Sequence, residues 1–188
     1  MFYYVYGLLH SEDYHERFAD NLSKELPRIP AVKKAEDFWA FSKAGRALGD
    51  LHVGYEEAKP YAVELKLPKG YTYDDLEPEH FGVEKKWKFG GTAKDKDKST
   101  VKYNNFITIT GVPLEAYDYV VNGKPALEWV MERQMVKTDK ASGIINDAND
   151  YAIETMGDPA YPLKLFQRVI TVSLETMKIV RSLPALDI

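Results

Sequence analysis

The chain has 188 residues, of which 45% are hydrophobic and 29% charged, with a formal net charge of −4. This composition is typical of a folded globular protein and excludes a disordered or low-complexity chain. The absence of cysteine excludes disulfides and thiolate chemistry, and no apolar run reaches the roughly 18 residues that a membrane-spanning helix needs. We therefore expect a cytoplasmic protein with no membrane partner.

The N-terminal third of the sequence is predicted to be helical. A capping serine and an apolar residue at every fourth position predict a helix over 11–26, which a proline ends. A second helical pattern covers 35–55, where the interior Gly45 and Gly49 indicate a close crossing with another helix. His52 lies on the apolar stripe of this second helix, and we expect it to be a hydrogen-bonded core residue.

Three segments then alternate apolar and polar residues with the period of a β-strand. They cover 61–67, 83–89 and 100–110. The connector 90–99 is polar, opens with two glycines and is long enough to be mobile. We therefore expect the last two strands to form a hairpin with a protruding tip.

The C-terminal third of the sequence is predicted to be helical again. An Asn-Gly turn leads into a helix that we expect to end near Lys137. The stretch 138–150 is rich in Asp, Asn, Ser and Gly and is predicted to be a loop, with Ile144 and Ile145 as its apolar anchors. A long helix over 158–182 completes the sequence.

Helices, then strands, then helices are the order typical of an α+β fold. We expect a small antiparallel sheet with a protruding hairpin, flanked by several helices that include the long C-terminal helix. The sequence contains no internal repeat and no flexible linker, so we predict a single domain over residues 1–188.

Common catalytic signatures are absent from the sequence. There is no phosphate-binding P-loop, dinucleotide fingerprint, nucleophile elbow or His-Glu-x-x-His motif. His10 and His15 are five residues apart, which does not place two imidazoles on one helical face, and the acidic cluster 74–79 is typical of a solvated loop. We therefore predict no catalytic residue, no metal site and no cofactor in this chain.

The charge is unevenly distributed along the chain. Residues 85–140 contain eleven Lys or Arg against seven Asp or Glu, whereas 141–157 contains three acidic residues and no basic one. A basic island in an acidic chain can orient it on a polyanion, although exposed lysines that only solvate a loop explain the same count. The predicted hairpin supplies the first candidate DNA-binding residues, which are Lys86, Lys88, Lys94, Lys96, Lys98, Lys102 and Asn104.

A second candidate region follows the helix that we expect to end near Lys137. Arg, Gln and Asn are suited to bidentate contacts with base edges, and Lys, Thr and Ser are suited to contacts with phosphates. An ordinary polar loop has the same composition. The candidates here are Arg133, Gln134, Lys137, Thr138, Lys140, Ser142, Asn146 and Asn149.

Taken together, several runs of residues resemble one known family. The chain is similar to the C-terminal specificity domain of Type ISP restriction-modification enzymes over nearly its whole length and in the same order. The runs that carry the resemblance are YVYGLLHSEDY at 4–14, LPRIP at 26–30, AGRAL at 44–48, LH at 51–52, YE at 55–56, YVVNGKPALEW at 119–129, KTDKASGI at 137–144 and VSLETM at 172–177.

The resemblance implies a target-recognition domain at the end of a much longer polypeptide. Such a polypeptide carries a nuclease, a helicase-like ATPase and an adenine N6-methyltransferase, which would use S-adenosylmethionine, ATP and Mg²⁺ in its upstream domains. This chain would then be non-catalytic and would direct the attached enzyme to a short asymmetric site on double-stranded DNA. Its partners would be DNA and the methyltransferase domain, against which the aromatic start 2–6 would pack unless it fills the core of this chain.

Two observations qualify these expectations. The acidic net charge favours a structural coupling module that docks the methyltransferase to the motor and contacts DNA little.

The family pattern more often has Asn-Asp-Pro-Asn at the positions of 146–149, where this chain has alanine at 148, and it often has a tyrosine near Gln134 and Met135. Loss of the proline frees one φ angle, so we expect a less rigid loop there.

Overall fold

The computed structural model describes all 188 residues, which form two compact units. Unit 1 comprises Met1–Tyr55 and Leu174–Ile188, and unit 2 comprises Glu56–Ser173. The predicted α+β class is confirmed: there are seven α-helices, of which the C-terminal one is long, and a small four-stranded antiparallel sheet.

Unit 1 is helical. Its core contains aromatic and aliphatic side chains from several helices, and Tyr4, Tyr14 and Phe41 are almost fully buried there. The aromatic start divides between two environments, since Tyr4 lies in the core of this unit whereas Phe2 is 71% exposed. The helices of this unit are α1 (Phe2–Leu8), α2 (Glu12–Arg17), α3 (Ala19–Leu22), α4 (Ala35–Val53) and the C-terminal end of the helix Tyr161–Arg181.

The predicted helix over 11–26 is wrong in extent. Ser11 does cap a helix, because its hydroxyl accepts a hydrogen bond from the backbone N–H of Tyr14, but α2 ends at Arg17. Phe18 takes φ −113° and ψ 18°, which are not helical angles, and the chain restarts as the short α3. The change of direction lets Phe18 pack on the core while Leu26 stays 89% exposed.

The close helix crossing expected from the glycines of α4 is present, between α4 and α1. A Cβ atom on Gly45 would lie 1.8 Å from the backbone oxygen of Tyr3, and one on Gly7 would lie 2.2 Å from that of Phe41. Only glycine permits this backbone contact at either position. Gly49 differs, since the nearest atom to its Cβ position is a Tyr3 ring carbon at 3.4 Å.

The sheet lies in unit 2, and the predicted hairpin forms with different bounds. The predicted strand over 100–110 is two strands, because the side-chain oxygen of Asn104 accepts the N–H groups of Phe106 and Ile107 and turns the chain. The predicted strand over 83–89 becomes a strand only at Lys88, and the expected long connector is a four-residue loop, 92–95. The strands are β1 (Glu64–Lys66), β2 (Lys88–Gly91), β3 (Lys96–Lys102) and β4 (Thr108–Thr110), in the order β1-β4-β3-β2.

The rest of unit 2 contains two further hairpins and the start of the long helix. The helix expected to reach Lys137 ends at Arg133, and most of the predicted loop 138–150 is ordered, because 136–138 pairs with 145–147. Ile144 and Ile145 are 61% and 63% exposed and therefore do not anchor it. The elements are β5 (Val120–Val121), β6 (Lys124–Pro125), α5 (Ala126–Arg133), β7 (Val136–Thr138), β8 (Ile145–Asp147), α6 (Ala148–Asp150), a π-helical turn (Tyr151–Thr155) and α7 (Tyr161–Arg181).

Residue 148, where the family pattern more often has proline, lies at the start of a short capped helix. Ala148 is the first residue of α6, a position at which proline is common because its N–H needs no helical partner. The side chain of Asp147 accepts a hydrogen bond from Asn149 N–H at 2.8 Å and caps the turn. This hydrogen bond constrains the backbone at a position where a proline ring would otherwise fix the φ angle.

Candidate nucleic-acid interface

One face of the sheet carries a row of lysines. The pairing register places Lys66 of β1, Thr108 of β4, Lys102 of β3 and Lys88 of β2 side by side across all four strands. Side chains that are directly paired point to the same face, and all three lysines are exposed. We call these three residues the lysine row. Lys66 was not predicted as a DNA-binding residue from the sequence. It follows Leu65 in a strand whose apolar and polar residues alternate, and this alternation predicts that the Lys66 side chain faces outward.

The opposite face of the same sheet is apolar. Leu65, Ile109, Val101 and Phe89 form the adjacent row of paired residues, and Val101 and Ile109 are fully buried. The lysine row is therefore fixed in position by a packed core. Directly paired like charges destabilise a sheet, and Lys88 faces Lys102 without an ion-pairing acidic partner. Such an uncompensated pair indicates a surface suited to anions.

Lys98 does not join the lysine row. The register of β2 and β3 shifts between Phe89, which pairs with Val101, and Gly90, which pairs with Asp97, so residues 98–100 form a bulge. The Lys98 ammonium lies 2.9 Å from a Glu128 carboxylate oxygen and 5.5 Å from the ring centroid of Phe89. The bulge thus directs this lysine into an internal ion pair.

The tip of the hairpin is short and ordered. Thr92 N–H donates to the backbone oxygen of Asp95 at 2.8 Å, and Asp95 N–H donates to the Thr92 hydroxyl at 3.1 Å. Gly91 has a φ of +72°, which closes the turn. Lys94 and Lys96 are exposed on this tip.

A cleft of about 610 Å³ lies between the hairpin and α5. Five lysines and only two acidic residues line it, so the cleft is cationic. We call it the lysine cleft. Its charged lining residues are Lys86, Lys88, Lys96, Lys102, Lys124, Glu128 and Glu132.

Helix α5 supplies the acidic side of the lysine cleft. Glu132 forms an ion pair with Lys124, and this hydrogen bond is the main reason that the pKa of Glu132 lies below its ordinary value. Trp129 makes cation–π contacts with two side chains, with the Lys124 ammonium 4.3 Å and the Arg133 guanidinium 5.4 Å from its ring centroid. The aromatic ring therefore helps to place Arg133 at the end of the helix.

A second cleft of about 400 Å³ adjoins the end of α5 and the β7–β8 hairpin. We call it the hairpin cleft. It shares Glu132 with the lysine cleft, so the two regions that the sequence separates by about forty residues come together on one surface of unit 2. Its lining residues are Glu132, Arg133, Met135, Lys137, Asp139 and Asn146.

Three sets of hydrogen bonds hold the β7–β8 hairpin beside the segment that leads into β2. The Trp87 indole N–H donates to the backbone oxygen of Gln134 at 2.6 Å, and Val136 N–H donates to the backbone oxygen of Glu84 at 2.8 Å. The Asn149 amide accepts from Val83 N–H and donates to Val83 C=O, both at 2.8 Å. Trp87 is buried, so this attachment is built on the core.

The candidate residues thus divide by what they contact. Asn149 and Asn104 use their amides within the fold, since the Asn104 NH₂ group donates to the backbone oxygens of His80 and Gly82. The side-chain oxygen of Gln134 is buried without a hydrogen-bond partner. The candidates that are exposed are Lys86, Lys88, Lys94, Lys96, Lys102, Arg133, Lys137, Thr138, Lys140, Ser142 and Asn146.

The loop that joins β7 to β8 has a fixed shape. One carboxylate oxygen of Asp139 accepts hydrogen bonds from the N–H groups of Ala141 and Ser142 and from the Ser142 hydroxyl. These bonds, led by the one from Ser142 N–H, hold the pKa of Asp139 below its ordinary value. Gly143, with a φ of +72°, completes the turn, and Asp139 N–H donates to the backbone oxygen of Ile144 at 2.8 Å.

In unit 1, the polar groups bond to one another. His52 contacts the Tyr6 hydroxyl through Nδ1 at 2.7 Å and the buried Thr176 hydroxyl through Nε2 at 2.8 Å, as expected for a hydrogen-bonded core histidine. Burial, with a smaller contribution from His10, lowers the pKa of His52 to about 4. His10 and His15 each contact a backbone oxygen, of Tyr6 and Leu9 respectively.

Two further structural facts bear on the chemistry of the chain. No group of three or more histidine, aspartate or glutamate side chains is arranged to hold a metal ion. None of the helices combines the length and the apolar character that a membrane crossing requires.

The fold and the surface define an α+β protein with a cationic face and two adjoining clefts, as in domains that bind polyanions. A family model, the Type ISP C-terminal specificity domain, matches residues 1–165. The chain therefore belongs to the Type ISP C-terminal specificity domain family, which confirms the resemblance drawn from the sequence.

Solved structures agree with this assignment. A nuclease-deletion mutant of the Type ISP restriction-modification enzyme LlaGI, in complex with a DNA substrate mimic, is 39% identical with a TM-score of 0.82. The ATP-dependent Type ISP enzyme LlaBIII bound to DNA is 37% identical with a TM-score of 0.82, and a DrdV–DNA complex is 31% identical with a TM-score of 0.76. Each match covers 100% of this chain but only 14%, 11% and 18% of the respective relative. No curated protein matches the chain.

Proposed function

We propose that this chain is a target-recognition domain that binds double-stranded DNA and selects the sequence at which an attached enzyme acts. The observation that carries the proposal is the shared position of Glu132, which joins the lysine cleft and the hairpin cleft into one surface. Cations suited to phosphates and side chains suited to base edges are thereby presented together. The relatives solved on DNA support the same conclusion.

The two clefts have different proposed roles. The lysine row with Lys86, Lys94 and Lys96 contacts phosphates and sets the register of the domain on the duplex. Arg133 and Asn146, which line the hairpin cleft, contact base edges, at about 1 to 3 kcal/mol of discrimination for each good bidentate contact. The phosphate contacts near the hairpin cleft come from Lys137, Thr138, Lys140 and Ser142.

The remaining four candidates have positioning roles in this proposal. Lys98 and Asn104 shape the β2–β3 hairpin and the β3–β4 turn, as their internal ion pair and hydrogen bonds indicate. Asn149 and the backbone of Gln134 hold the β7–β8 hairpin in place. Their substitution would act on DNA recognition through the shape of the surface.

The proposal extends to the longer protein of which the relatives are examples. Both units would form one recognition domain without catalysis of its own, attached to an adenine methyltransferase domain and an ATP-dependent translocase and nuclease. S-adenosylmethionine, ATP and Mg²⁺ would be bound by those other domains. The recognised site would be short and asymmetric, and this chain would help to hold DNA while the target adenine is flipped for methylation.

A domain exchange tests the proposal. The specificity domain of active LlaGI is replaced by this chain, and N6-methyladenine is mapped across the host genome by single-molecule sequencing. Methylation of a new, consistent motif is the expected result. Methylation that persists at the LlaGI motif would show that recognition lies elsewhere and would favour a coupling module.

The exchange also allows the clefts to be separated. Arg133→Ala and Asn146→Ala are expected to relax the new motif at one position each, because each removes a base-edge contact. Lys43→Ala is the matched control, since Lys43 is an exposed lysine of unit 1. The control should leave the motif unchanged.

A further inference from the structure

The end of the β7–β8 hairpin exposes two adjacent isoleucines. Ile144 and Ile145 are 61% and 63% exposed, and both follow the fixed turn at Asp139. Large aliphatic side chains are usually buried, so each of these two isoleucines is available to contact another molecule. Lys137 and Lys140 are exposed on the same hairpin, and Asp139 and Asp147 balance their charge.

The two isoleucines lie on opposite faces of the hairpin. The register pairs Lys137 with Asn146 and Thr138 with Ile145, and the backbone bond from Asp139 to Ile144 continues the ladder by one residue. Because side chains alternate along a strand, Ile144 shares the face of Lys137, Asp139 and Asn146. That is the face that lines the hairpin cleft. Ile145 shares the other face with Thr138.

The turn that carries Ile144 is rigid. Asp139 accepts three hydrogen bonds from the loop, and the Ser142 hydroxyl also accepts one from Ile144 N–H at 3.3 Å. The hairpin is further tied to the core through Trp87 and Asn149. A side chain on such a support loses little conformational freedom when it is pushed into a tight space.

We propose that Ile144 is a wedge that inserts into the base stack of bound duplex DNA, beside the bases that the hairpin cleft contacts. The proposal rests on the proposed function, since it requires the hairpin cleft to face DNA. Isoleucine is among the residues that DNA-binding proteins insert between base steps. Ile144 shares its face with the cleft that the proposed function places on DNA, and Lys137 and Lys140 can contact the phosphates on either side of the opened step. Ile144 thereby adds sequence dependence through the ease with which the step opens.

The test uses the full-length LlaGI exchange enzyme on duplexes that carry its mapped motif. The probe is 2-aminopurine, placed in turn at each purine of the motif and its flanks, whose fluorescence rises when a base loses its stacking neighbour. Apart from the rise that flipping of the target adenine itself produces, we expect a rise at one further step on binding, which Ile144→Ala reduces by about threefold or more and Ile144→Leu retains. Ile145→Ala is the matched control, since it removes an equally exposed isoleucine from the opposite face, and it should retain the rise.

Several results would overturn the wedge. Equal fluorescence in Ile144→Ala and the parent enzyme would do so, as would an equal loss in both alanine variants. If Ile144→Ala instead lowers the melting temperature of the full-length enzyme and leaves the fluorescence unchanged, the side chain packs on another protein domain. These outcomes differ from a failure of the proposed function, in which the exchange enzyme has no new motif to test.

Discussion

Units 1 and 2 use their polar side chains in different ways. In unit 1, the half-buried His52 hydrogen-bonds to both Tyr6 and the buried Thr176. In unit 2, Lys88 and Lys102 face each other on a sheet surface and are not paired with an acid. The polar groups of unit 1 already have hydrogen-bond partners within the chain, whereas the two lysines of unit 2 require an external anion as a partner. The charge of a candidate residue is therefore less informative than whether the fold already supplies its partner.

The largest expected effect is a loss of stability at the close crossing of α1 and α4 in unit 1. Gly45→Ala would place a methyl group against the backbone of Tyr3, so we expect a loss of about 3 kcal/mol or more in the free energy of unfolding. Gly49→Ala has ordinary contact distances and should gain up to about 1 kcal/mol from helix propensity. Urea unfolding of the chain measures both. Equal effects of the two substitutions would contradict the close backbone crossing.

The next prediction compares the stability effects of substituting a positioning residue and an exposed residue of unit 2. Asn149→Ala removes the partner of both backbone groups of Val83, so we expect a loss of about 2 kcal/mol in the free energy of unfolding. Asn146→Ala changes an exposed side chain and should alter stability by less than about 0.5 kcal/mol. Urea midpoints of the two variants decide the matter. A comparable loss in Asn146→Ala would show that this residue is also part of the framework.

A third prediction concerns the open surface of unit 2. The double substitution Lys88→Gln and Lys102→Gln should weaken DNA binding by the full enzyme about tenfold at 0.15 M salt and make the negative slope of log K against log salt shallower by about 2. Lys43→Gln is the control, because it removes an exposed lysine of unit 1 that lies outside the lysine row. Titrations at several salt concentrations measure the slope. An equal change in the control would mean that the lysine row contributes only general charge.

The smallest effect is a pH dependence that belongs to unit 1. His52 has a pKa of about 4 in the folded chain, below the ordinary 6.5. Below pH 6.5 the unfolded chain takes up a proton that the folded chain does not, so stability should fall as the pH decreases toward 4. Because the ring is only partly buried, we expect a loss of about 1 kcal/mol between pH 7 and 5. Thermal melts at both pH values should show a smaller loss in His52→Gln, and an equal loss would assign it to other groups.

Much of the fold could be predicted from local patterns. The period-two alternation correctly marked Val101, Tyr103, Ile107 and Ile109 as buried, and the helical spacing located the long helices. The same alternation hid the turn at Asn104, because the buried Tyr103 and Ile107 on either side of it are an even number of residues apart. Where one strand becomes two depends on side-chain hydrogen bonds that the pattern does not record.

The candidate site could be predicted less completely. Residue type and net charge located both basic regions. They did not show that the two clefts share Glu132, because this proximity depends on the long-range hydrogen bonds of Trp87 and Val136. Nor does the sequence show that Lys98 and Asn149 have partners within the fold. Ile144 and Ile145 were expected to be buried because they are apolar, and only the structure shows them at the end of a hairpin.

The position of β2 at the edge of the sheet has a consequence for self-association. Its outer side makes no backbone hydrogen bonds to another strand, so it is a template on which a second chain could add a strand. Lysine is a common safeguard on such edges, because bringing two copies together would also bring their charges together. Lys88 therefore opposes edge-to-edge pairing of two copies as well as adding positive charge. Replacing it with an apolar residue should promote aggregation more strongly than a neutral polar replacement does.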